Sequence, residues 1–72
     1  MRFLRFMKIR LNGEEKEFAD GLSVAQLLEE LQIRSGRVVV EINRDIVARE
    51  AHGSTLLKGG DALEIVHFVG GG

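Results

Sequence analysis

The sequence contains no cysteine and only two histidines, His52 and His67. This excludes a thiol nucleophile, a thiolate metal site and a disulfide framework. His52 lies in a polar run with Glu50 and Ser54, residue types that can build a hydrolytic triad. Crowded into one short loop they do not converge on a point, and no strand-to-helix elbow accompanies them, so a solvated loop histidine is expected. His67 belongs to an apolar run and is expected at the wet end of a strand. The two histidines have no carboxylates at ligand spacing and give no metal site. Gly59-Gly60-Asp61 lacks the Gly-Lys-Ser/Thr that would complete a phosphate loop and reads as a tight turn. The basic start (Arg2, Arg5, Lys8, Arg10) interleaves with Phe3 and Phe6, as in single-strand nucleic-acid sites. Strand alternation explains Lys8 and Arg10 without a ligand.

That leaves the last three residues, Gly70-Gly71-Gly72, three of the nine glycines in the chain. Glycine pays the largest ordering entropy of any residue, so a flexible tail is expected. Such a strap reaches about 10 Å at roughly 3.3–3.6 Å per residue and can enter a channel too narrow for any Cβ. What it delivers is the Gly72 carboxylate, which becomes an acyl donor only after activation, for example by attack on the α-phosphate of ATP. No nucleophile, base and orienting group stand together elsewhere. The chain is therefore expected not to be an enzyme but to be acted on by others, with no bound cofactor.

Positioning the tail requires a rigid body. At 72 residues and 44% hydrophobic content the chain supports one core, hence one domain over 1–72, with 1–6 as a possible N-terminal extension. Lys plus Arg (10) nearly balance Asp plus Glu (11), so no global field draws it to nucleic acid or an anionic membrane. No apolar run reaches membrane-span length and the start lacks a signal-peptide core, so a cytoplasmic, unprocessed protein is expected.

Met7-Lys8-Ile9-Arg10-Leu11 alternates with period two and reads as a strand burying Met7, Ile9 and Leu11. Asn12-Gly13 then turns the chain into a second, antiparallel strand through Phe18. Ser23 and Gln26 form a capping box, with Leu22 and Leu27 as its hydrophobic staple. Val24, Leu27, Leu28 and Leu31 make the apolar stripe of one helix, which Ser35-Gly36 is expected to stop. Val38–Ile42 is a third strand. Asn43-Arg44-Asp45 is turn-like, Ile46-Val47 a brief edge strand, and Ala48 to Thr55 a polar loop. Ala62–Val69, nearly all apolar, reads as a central strand. This order gives an α+β fold of the β-grasp type, a mixed four- or five-stranded sheet with one main helix packed on one face. A ferredoxin-like fold would need a second helix between 43 and 60, where Gly53, Gly59 and Gly60 argue against it.

Several segments carry a resemblance to a known family. They are Leu11-Asn12-Gly13, Ser23-Val24-Ala25-Gln26-Leu27-Leu28, Val40-Glu41-Ile42-Asn43 with Ile46-Val47 and Arg49, Gly60-Asp61, and above all Glu64 to Gly72. Over Met7 to Gly72 the chain resembles the sulfur carrier proteins of thiamine biosynthesis, small ubiquitin-like proteins with a Gly-Gly end. The resemblance implies that an E1-like adenylyltransferase adenylates the Gly72 carboxylate with ATP. Sulfur from a cysteine-desulfurase persulfide then leaves a thiocarboxylate, which thiazole synthase accepts. The small subunit of molybdopterin synthase shares the fold and the Gly-Gly end but usually reaches it through a proline, and this chain has none. A non-covalent binding module with an inert tail is the alternative of a different class.

Alternation in the last strand sets Leu63 and Ile65 on one face and Val66 and Phe68 on the other. With the helix over the first face, Val66 and Phe68 lie beside Val39 on the uncovered face, next to the tail. Such a patch is expected to be the partner interface of a chain that is monomeric when free.

Overall fold

The computed structural model describes residues 5–68. Strand β1 (Phe6–Leu11) turns into β2 (Glu14–Ala19), helix α1 (Val24–Glu30) follows, and a 3₁₀ turn at Ser35–Arg37 leads into β3 (Val38–Ile42). Next come β4 (Asp45–Val47), a 3₁₀ turn at Arg49–Ala51, and β5 (Ala62–His67). The sheet order is β2-β1-β5-β3-β4. β5 lies parallel to β1 and antiparallel to β3, which places the most apolar strand at the centre. This is the ubiquitin-like β-grasp, five-stranded, with α1 across one face.

Period-two alternation fixes which side chains enter the core. Met7, Ile9 and Leu11 are buried while Lys8 and Arg10 are exposed. They meet Val24, Leu27 and Leu28 of the helix, Val38 and Val40 of β3, and Leu63 and Ile65 of β5. The helix starts as its box requires: Gln26 N–H donates to Ser23 Oγ (3.1 Å), and Ser23 N–H donates to Gln26 Oε1 (2.9 Å).

The helix ends earlier than Ser35-Gly36. Leu31 is its C-cap, and Gln32, not a glycine, takes the left-handed conformation (φ 59°). The N–H groups of Gln32 and Ile33 donate to the carbonyls of Glu29 and Leu28, a Schellman closure, and Ile33 packs on the core that includes Leu28. The hydrophobic contact after the turn overrides the preference for glycine. β5 also stops at His67 rather than Val69; Phe68 continues past it, and Val69 lies outside the described residues.

His52 corrects a second expectation. It is 3% exposed, buried in a loop whose polar composition suggested a solvated side chain. The helix N-terminus explains this. Val24 N–H donates to the Thr55 carbonyl and Ala25 N–H to that of His52, so the loop folds over α1 and satisfies its first amides. Glu50 and Ser54 remain exposed, and the superficial triad does not assemble.

Asn12 and Asn43, both at positive φ in hairpin turns, reach across to β5. Asn12 Oδ1 accepts from Ile65 N–H (2.7 Å) and its Nδ2 donates to the Ile65 carbonyl (3.2 Å). Asn43 Oδ1 accepts from Ala62 N–H, and its Nδ2 donates to Asp61 Oδ1 (3.1 Å). Asp61 is buried, and its other oxygen accepts from Lys58 N–H (2.9 Å). Removing a buried acceptor leaves its donors unpaired, so Asp61→Ala is expected to lower stability by about 1–3 kcal/mol in urea unfolding. Lys58→Ala, which keeps its backbone amide, is expected to change it by less than about 0.5 kcal/mol.

Candidate functional site

The sheet face opposite α1 is open. The register sets Val39 directly across from Val66, and Phe68 follows two residues further along the same face. Val66 is 52% and Phe68 62% exposed, while Val39 is half-buried between the neighbouring strands. The three residues expected to form the partner interface thus lie together, at the end of β5 where the chain leaves the sheet. Gly70, Gly71 and Gly72 lie outside the described residues.

The sequence reading missed Ile46, which is 70% exposed and extends this patch. Its register partner is Glu41, whose own partner on β5 is Glu64, so Ile46, Glu41 and Glu64 form one row across the open face. Asn43 and Arg44, both at positive φ, close β3 onto β4 as a two-residue turn and fix that register. The face is therefore apolar at Val39, Ile46, Val66 and Phe68, with two carboxylates along one side. Glu41 and Glu64 oppose each other directly, a destabilising like-charge pair that no salt bridge among the described residues offsets.

The end of β5 is basic on its other side. Gln32, Ile33, Arg34, Arg37, His67 and Phe68 line a shallow depression of about 460 Å³. His67 is exposed there, as expected of a strand end. Phe68 N–H donates to the Arg37 carbonyl (3.0 Å), so the last described residue is tied to the 3₁₀ turn that leads into β3. The root of the tail is thus held by main-chain bonds while the Phe68 ring stays out in solvent. Among the described residues no three His, Asp or Glu side chains stand close enough to hold a metal ion.

A family model described as "ThiS family" matches residues 9–72. The sulfur carrier protein ThiS of Bacillus subtilis is 37% identical over 65 residues, covering 89% of this chain and 98% of that protein. A thiazole synthase of Paramagnetospirillum magneticum is 44% identical over 66 residues. The chain spans only 20% of the length of that enzyme, and the same share of a thiazole synthase from Magnetococcus marinus. Among solved structures, the crystal structure of a thiamine biosynthesis protein (ThiS) from Geobacter metallireducens matches with a TM-score of 0.81 and 38% identity. That match covers 92% of this chain and all of the other.

Exposed side chains with no partners contribute little to folding. Phe68→Asp is expected to leave the unfolding free energy measured in urea within about 0.5 kcal/mol of the parent, whereas Leu27→Ala, deep in the core, is expected to lower it by about 2–5 kcal/mol.

Proposed function

The chain belongs to the ThiS family, and we propose that it is a sulfur carrier of thiamine biosynthesis whose working group is the Gly72 carboxylate. The observation that supports this most directly is the exposed Val39–Val66–Phe68 patch, set at the end of the central strand from which the glycine tail departs. A partner that grips the patch has the tail beside it, and the three glycines carry no Cβ to obstruct a narrow channel.

The chemistry follows from the group delivered. A carboxylate is a poor acyl donor, because its leaving group would be oxide. In the proposed sequence a Gly72 oxygen attacks the α-phosphate of ATP held by an E1-like adenylyltransferase, and pyrophosphate leaves. The acyl carbon then carries AMP, a good leaving group. The terminal sulfur of a persulfide, supplied through a cysteine desulfurase, attacks that carbon and expels AMP. A thiolate then attacks the persulfide-derived cysteine sulfur of the resulting acyl disulfide, forming a new disulfide with that cysteine and releasing the thiocarboxylate. Thiazole synthase is the proposed acceptor, and the similarity of this chain to one fifth of two such enzymes supports that choice. In this scheme ATP and every catalytic group belong to the partners. The chain contributes a rigid body, a docking face and an end. No helix among the described residues is long and apolar enough to cross a membrane, and we place the carrier in the cytoplasm with its partners.

Intact mass spectrometry after incubation with ATP, the adenylyltransferase and a sulfur source is expected to show one oxygen exchanged for sulfur at Gly72. An unchanged mass would leave the tail inert and favour a non-covalent binding module. Phe68→Asp is expected to weaken adenylyltransferase binding at least tenfold, and a normal adenylation rate would remove the patch from the interface. Appending one residue after Gly72, or replacing Gly71 with a bulky residue, is expected to abolish activation.

A further inference from the structure

The open face is built as three rows across the strands. Ile46, Glu41 and Glu64 make the first, Val39 and Val66 the second, and Phe68 stands in the third, where its N–H is held by the Arg37 carbonyl. Charge is divided along this direction. The first row carries two carboxylates that oppose each other directly. Around Phe68 the sign reverses: Arg34 and Arg37 line one depression that Phe68 borders, and Arg49 lines a second, a cleft of about 220 Å³. No Asp or Glu is among the residues lining either one. All three arginines are exposed and form no salt bridge among the described residues.

A face that is anionic at one end, apolar in the middle and cationic at the other is complementary to a reversed copy of itself. Consider two sheets face to face, about 10 Å apart, related by a twofold axis that runs across the strands over the Val39–Val66 row. The axis sets Val39 on Val39 and Val66 on Val66. It also turns the first row of each copy onto the third row of the other, so that Glu41 comes over Arg37 and Glu64 over Phe68. An axis running along the strands would stack carboxylates on carboxylates, so charge selects the first arrangement. We propose that the open face binds a second copy of this chain in this way, and that the free protein exchanges between a monomer and a twofold pair. This replaces the expectation of a free chain that is monomeric. The area sets the strength. Three strands about 4.8 Å apart and three rows about 6.8 Å apart make a face of roughly 300 Å² per copy, well under the ~800 Å² per partner of a stable interface. The pair is therefore weak and transient, and a protein that docks on Val39, Val66 and Phe68 displaces the second copy. The proposal concerns this chain alone and stands or falls apart from the carrier reading.

The experiment is nuclear magnetic resonance of the full 72-residue chain, without partners, from about 10 μM to about 1 mM. Pairing predicts that the amide signals of Val39, Glu41, Ile46, Val66 and Phe68 shift together as concentration rises, while those of Glu29 and Glu30 on α1 stay fixed. High salt is expected to shrink the shifts. Glu41→Arg and Arg37→Glu chains are each expected to need at least about tenfold more protein for the same shifts, because each change reverses the sign at two symmetric contacts. Mixed in equal amounts, the two variants are expected to recover the parent's response, since both contacts of the mixed pair then join opposite charges. That recovery also shows that both variants are folded. Signals independent of concentration would overturn the proposal. So would a pair that survives both reversals, or one that mixing fails to restore, since either result denies the twofold register. Signals that move only when an adenylyltransferase is added would reserve the face for that partner and overturn the pair.

Discussion

The fold depends on how β5 is held where β1 no longer accompanies it. The parallel register between them is short, Arg10 with Ala62 and Leu11 with Leu63, because the chain turns away at Asn12-Gly13. Past that point one edge of the central strand would lie open in the middle of the sheet. Asn12 closes it. Its backbone N–H donates to the Leu63 carbonyl, and its side-chain amide pairs with both the N–H and the carbonyl of Ile65, imitating one further residue of strand. At the other end of β5, Asn43 and buried Asp61 form an equivalent clasp. Two hairpin turns therefore act as tertiary clamps, and both use asparagine, which combines tolerance of positive φ with an amide.

This clamping explains how a chain this small can fix the end of its central strand. A short domain buries a limited fraction of its surface and has little stability in reserve. The end of β5 is held by main-chain bonds, the last from Phe68 N–H to the Arg37 carbonyl, while the side chains of Val66 and Phe68 stay in water. The Glu41–Glu64 opposition fits the same division. It costs folding energy on the face left open, and a partner's cation would relieve it.

Much of this was legible in the residues because the decisive signals are local. Ser23 with Gln26, Asn12-Gly13 and the alternation of Met7 to Leu11 each specify a geometry within a few positions, and the structure carries all three. The features that were not legible depend on what lies across the fold. His52 sits among polar neighbours, and only the need of α1 for acceptors at its first amides explains its burial. Gln32 takes a conformation that favours glycine because Ile33 gains a place on the core. Asp61 reads as a turn residue until Asn43 arrives from 18 positions away. Ile46 falls between these cases: the two-residue turn at Asn43-Arg44 implies its facing, but only once β3 and β4 are taken as a hairpin.

The absence of cysteine, together with the open face, suggests why carrying and catalysis are separated. A thiol on the carrier would itself attack an activated acyl group nearby, and the adenylate would be spent on an intramolecular thioester. The sequence has no cysteine, so under the proposed function no thiol of the chain would compete for the activated carbon. What the described residues place at the end of β5 is apolar surface at Val39, Val66 and Phe68 and cations at Arg34, Arg37 and Arg49, groups that under the proposed function would recognise a partner without reacting with the activated end.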